Sequence, residues 1–125
     1  MTIHDVTLSG VAASLSRLYH ENQTLTAHLG ERDRKATEAR EEYSMAYQIA
    51  YLKAGEEREN GRPLSVEARK ARAFTQTHDL RVKAEGLECS VRQTRQEIRS
   101  NETGIDAARS AGSLVKAEIE LVKAS

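Results

Sequence analysis

The residues best placed to do chemistry in this chain are Tyr47 and Tyr51, with Arg58, Arg62, Arg69, Lys70 and Arg72 following them. Tyrosines can stack on nucleobases, and guanidinium or ammonium groups can hold phosphates. The set could therefore bind a nucleotide or a single-stranded nucleic acid. The same stretch supports a second reading. Residues 43–54 run Tyr-Ser-Met-Ala-Tyr-Gln-Ile-Ala-Tyr-Leu-Lys-Ala and are apolar almost throughout. A helix that is apolar all round is buried all round. On that reading Met45, Tyr47, Ile49, Tyr51 and Leu52, joined by Phe74, form an interface between copies of the chain. Leu114 and Leu121, seven apart on one outer helix face with Ala107, add a second helix-packing stripe. The two readings are compatible, because a nucleotide pocket could form between subunits.

Other chemistry finds little support. His4, His20, His28 and His78 form no His-x-x-x-His pair, and none follows a Glu at the spacing used in di-iron bundles. There is no glycine-rich phosphate loop and no nucleophile elbow. A two-helix coiled coil also lacks a concave pocket that would exclude water around a reaction. The expectation is a non-enzymatic protein with no metal and no cofactor. Cys89, a lone cysteine at an outward position, fits a reducing compartment. The sequons Asn22-Gln23-Thr24 and Asn101-Glu102-Thr103 are chance matches. Arg92, Arg95 and Arg99 interleave with Glu88, Glu97 and Glu102, as on a solvated face.

The elements that must position these residues are helices. An alternating three- and four-residue spacing selects Leu8, Val11, Leu15, Leu18, Asn22, Leu25, Leu29, Arg32, Ala36, Ala39, Tyr43, Ala46, Ala50 and Lys53. It resumes with Val66, Lys70, Ala73, Thr77, Leu80, Ala84, Leu87, Val91, Thr94, Ile98, Asn101, Ile105, Ala108, Gly112, Val115, Ile119 and Val122. A seam repeating every 3.5 residues is the signature of a coiled coil. Asn60-Gly61-Arg62-Pro63 interrupts it once. The predicted fold is all-α: two long helices in an antiparallel coiled-coil hairpin, assembled into a larger helical bundle oligomer. Residues 1–125 form a single domain, with arm 1 over about 7–58, a turn at 59–64 and arm 2 over about 65–123. The alternative is a four-helix bundle broken near Gly30 and Gly104.

Folding about the Gly61-Arg62 bond pairs Val11 with Gly112, Leu18 with Ile105, Asn22 with Asn101, Ala39 with Ala84 and Tyr43 with Leu80. One layer holding both asparagines would fix the register at some cost in stability. On one flank Glu42 faces Lys83, His28 faces Glu97 and Glu56 faces Arg69. On the other, Arg40 falls near Arg81 and Asp33 near Glu88. Ser65 is the expected N-cap of the second arm, with Glu67 in its first turn.

Composition agrees with an extended helical protein: the charge is balanced at 19 basic and 19 acidic residues, which favours neither a DNA mimic nor a protein dominated by phosphate binding. No segment is apolar enough to span a membrane. Met1-Thr2-Ile3-His4-Asp5 lacks the basic and apolar regions of a signal peptide. A cytoplasmic location is expected.

The pattern Tyr43-x-x-Ala46-Tyr47-x-x-Ala50-Tyr51-Leu52-x-Ala54, followed by Arg69-x-x-x-Ala73 and a heptad tail, resembles small uncharacterised helical coiled-coil proteins of tailed bacteriophages. The resemblance covers roughly residues 40–120 and assigns no catalytic or binding residue. It implies a bacterial host cytoplasm and an accessory role in phage replication, recombination or counter-defence. The sequence thus points to a self-associating adaptor or structural protein acting by protein–protein binding, its partners being itself and a second protein. The alternative is a protein that binds and sequesters a nucleotide or single-stranded nucleic acid.

Overall fold

The computed structural model describes residues 7–124; the segment Met1–Asp5, His4 included, lies outside them. The elements are α1 (Leu8–Ala54), β1 (Arg58–Glu59), β2 (Arg62–Pro63), α2 (Val66–Gln76) and α3 (His78–Ala124). Thr7 starts α1: its hydroxyl accepts from the Gly10 amide at 3.0 Å, satisfying a donor that the first helical turn leaves open. Neither Gly30 nor Gly104 breaks its helix. The four-helix alternative is therefore set aside. A glycine costs about 1 kcal/mol in a helix interior, less than an uninterrupted seam returns.

The described residues up to Leu29 and from Gln93 onward form one compact unit, and Gly30–Arg92 form another. In the first unit α1 and α3 run antiparallel. Val11 lies against Gly112, and Leu18 against Gly104, beside the expected partner Ile105. Val11, Thr94, Ile105 and Ala108 are buried. Leu8, Ile119 and Val122, expected in the seam, are exposed instead. Asn22 and Asn101 are both half-buried, as seam positions should be. Their amides do not bond, however, and Asn22 Oδ1 is buried without a hydrogen-bond partner. The expected polar layer is thus a shared level without the bond.

The Gly30–Arg92 unit is an antiparallel helical hairpin with a core of small residues. Ala36, Ala39, Ala50 and Ala54 of α1, Ala73 of α2, and Ala84 and Val91 of α3 are buried. Glu42 meets Lys83 at 3.7 Å, as its flank position predicts. Arg40, placed near Arg81 by the pairing, has Glu88 as its ion-pair partner. Exposed pairs of this kind contribute little, roughly 0–1 kcal/mol.

The chain reversal is more structured than a simple turn. α1 ends at Ala54, not near residue 58, and Gly55 N donates back to the carbonyls of Tyr51 and Leu52. β1 and β2 then form a two-residue hairpin, pairing Arg58 with Pro63 and Glu59 with Arg62. Asn60 and Gly61 occupy its centre with φ of 52° and 78°. Two consecutive positive φ values are what a type I′ turn needs, and Asn-Gly is the sequence that supplies them most readily. Leu64 returns buried beneath the hairpin. The seam here consequently uses Ala54 and Leu64, while Lys53, Val66 and Lys70 are exposed.

Ser65 caps α2 as expected, its hydroxyl accepting from Ala68 N at 3.1 Å. The second arm is two helices rather than one, because α2 closes at Thr77. The Thr77 hydroxyl donates to the Ala73 carbonyl at 2.7 Å, and Thr77 O accepts from Arg81 N at 3.0 Å. Side-chain bonding back to the preceding turn competes with the helical ladder and loosens it locally. Thr77 is nevertheless buried, so the seam passes through the break.

Candidate functional site

The residues singled out from the sequence divide into three groups. Tyr47, Tyr51 and Leu52 from α1 are brought together with Lys70 from α2. With Gln48 they line an apolar groove of about 430 Å³ on the Gly30–Arg92 unit. Helical spacing explains the α1 contribution: Tyr47 with Tyr51 and Gln48 with Leu52 are two i, i+4 pairs in adjacent rows along the helix. Tyr47 and Tyr51 are half-buried, and Leu52 is 70% exposed. Tyr43 extends the aromatic face, its ring centroid 6.2 Å from that of Tyr47 in a tilted arrangement. Lys70 forms no ion pair with any described residue.

Met45, Ile49 and Phe74 are exposed but do not line this groove. Phe74 keeps about half its surface exposed but is contacted from α3. The Arg81 guanidinium sits 3.5 Å from its ring centroid and donates to the Phe74 carbonyl at 3.1 Å. Phe74 thus makes a cation–π contact with α3 and stands apart from the groove lining.

The arginines of the alternative site are largely engaged elsewhere. Arg69 Nε donates to the Leu64 carbonyl at 3.0 Å and holds the end of the hairpin. Arg72 pairs with Glu57, where the sequence pairing had placed Glu56 with Arg69. Arg58 donates to the Glu57 carbonyl, and Arg62 is exposed on β2. None of the four lines the groove. These interactions depend on the path of residues 55–65, which no spacing rule reveals.

Leu114 and Leu121 lie on the other unit and are 67% and 71% exposed. That unit has a more polar hollow of about 440 Å³, lined in part by His20, Leu25, His28, Glu97 and Asn101. His28 and Glu97 do face this common space, as their flank positions predict. A smaller hollow is lined by Tyr19, Asn22, Gln23 and Thr26. Arg109 donates to the Tyr19 hydroxyl and lies over its ring, 5.7 Å from the centroid. Among the described residues no group of three or more His, Cys, Asp or Glu could hold a metal ion. Cys89 is exposed.

What the tyrosine groove can do follows from its lining. It offers two aromatic faces, an exposed leucine, one amide and one ammonium group. An apolar helix face or an aromatic ring would bury surface there at about 25 cal/mol per Å². No described helix is long and apolar enough to cross a membrane. No protein-family model, curated protein or solved structure matches the chain.

Proposed function

We propose that this is a non-enzymatic, self-associating coiled-coil protein, an adaptor or structural component that acts by protein–protein binding. The observation that carries the reading is the groove of Tyr47, Gln48, Tyr51, Leu52 and Lys70. Aromatic and leucine surface beside a single cation suits a helix of another chain, and aromatic residues are enriched at such interfaces. A core built mainly of alanines buries modest area per layer, so association is the physical remedy available to this fold. The resemblance of the heptad and tyrosine pattern to small bacteriophage proteins supports an accessory role in a bacterial host cytoplasm as part of this reading.

Nucleotide or single-stranded nucleic-acid binding has less to draw on. Of its five basic residues only Lys70 lies at the groove, beside Tyr47 and Tyr51. Light scattering on the Tyr47→Ala, Tyr51→Ala double variant separates the readings. Self-association through the groove predicts a fall in particle mass with no response to oligonucleotide. An unchanged mass, together with salt-dependent oligonucleotide binding by the parent protein, would replace it with the nucleic-acid reading.

A further inference from the structure

Two exposed apolar surfaces of the chain carry opposite charges that no described residue neutralises. In the tyrosine groove the charge is the Lys70 ammonium, at the edge of the surface formed by Tyr47, Tyr51 and Leu52. On α3, Glu118 stands four residues after Leu114 and three before Leu121. That spacing puts the carboxylate between two exposed leucines on one helical face. Neither Lys70 nor Glu118 takes part in an ion pair of the described residues.

We propose that the Leu114–Glu118–Leu121 stripe of one copy seats in the tyrosine groove of a second copy, with Glu118 meeting Lys70. The inference rests on the self-association reading and names its partner surface. Charge selects this occupant. Covering Lys70 with purely apolar surface would strip water from an ammonium and give nothing in return. Joining two grooves face to face would bring two Lys70 side chains together. The stripe instead delivers leucines to the tyrosines and a carboxylate to the ammonium. Such a contact steers the encounter and fixes which face docks. The helix lies in its groove through i, i+4 and i+7 anchors, a common mode of helix recognition. Each copy gives one surface and receives the other, so two copies can close reciprocally about a two-fold axis, and otherwise the contact propagates into a ring or a chain of copies.

Charge reversal tests the proposal. Light scattering over a concentration series is run on the parent, Lys70→Glu, Glu118→Lys and the doubly reversed protein. Circular dichroism and melting confirm that each is folded. Each single reversal should raise the concentration needed for assembly roughly tenfold or more, and the double reversal should restore it. Lys70→Gln and Glu118→Gln give the same reading should a reversal disturb folding. A parent that associates while the single variants assemble equally well overturns the stripe-in-groove contact and leaves the groove reading standing. So does a double variant that fails to recover. A parent that is monomeric throughout overturns both.

Discussion

Gly112 of α3 lies so close to Val11 of α1 that a Cβ added at position 112 would stand 3.2 Å from Val11 Cγ1. The helices approach closely at this contact, and a larger residue can enter only if Val11 gives way. Gly112→Leu is expected to destabilise the protein by about 1–3 kcal/mol through overpacking. Val11→Ala in the same background should recover part of the loss. A double-mutant cycle from urea unfolding checks the coupling, and additive effects would mean the two residues do not constrain each other.

Gly30 and Gly86 present the opposite case. An added Cβ at either meets nothing within 4 Å. Gly30→Ala and Gly86→Ala should each stabilise the protein by about 0.5–1 kcal/mol, through helix propensity alone. Thermal melting reads the change, and a fall in melting temperature at either position would contradict the open surface described.

Asn22 Oδ1 is buried with no hydrogen-bond partner. An orphaned amide oxygen costs about 1–3 kcal/mol, so Asn22→Leu is expected to raise stability by an amount in that range. Denaturant unfolding measures it. A loss of stability on this substitution would mean that the amide is satisfied by a partner or by ordered water.

Gly61 holds a φ of 78° at the centre of the β1–β2 hairpin. A β-branched residue there is strained, and Gly61→Val should cost on the order of 1–3 kcal/mol. The unfolding midpoint is the readout. An unchanged midpoint would show that the hairpin contributes nothing to the stability of the Gly30–Arg92 unit.

The heptad pattern revealed most of the packing because each seam position reports burial directly. Val11, Ala36, Ala39, Ala50, Ala73, Ala84, Val91, Thr94, Ile105 and Ala108 are buried where the spacing places them. The pattern failed at the chain reversal. There the buried position is Ala54 where the period selects Lys53, Val66 is exposed, and Leu64 belongs to no period. The Asn60-Gly61 pair carries a signal for a two-residue hairpin, which a helical period does not contain. The break at Thr77 depends on one hydroxyl bonding back to Ala73, and threonine is too common in seams to signal this alone. At the candidate site, Tyr47 and Tyr51 were legible from helical spacing. The separation of Arg58, Arg62, Arg69 and Arg72 from the groove was not, because it follows from the carbonyls and the carboxylate that the reversal presents to Arg58, Arg69 and Arg72. Glu118 gives no apolar signal, and its place between Leu114 and Leu121 shows only when charges are read on the same helical face.

Association through the tyrosine groove is tested most cleanly at Leu52, whose side chain is exposed and whose loss leaves the core intact. The direct measurement is particle mass by light scattering across a wide concentration range for the parent and for Leu52→Glu. The parent should rise above the 13.9 kDa of one chain while Leu52→Glu, equally helical, stays at that mass. A parent fixed at one chain's mass, or a Leu52→Glu variant that assembles as the parent does, would contradict it.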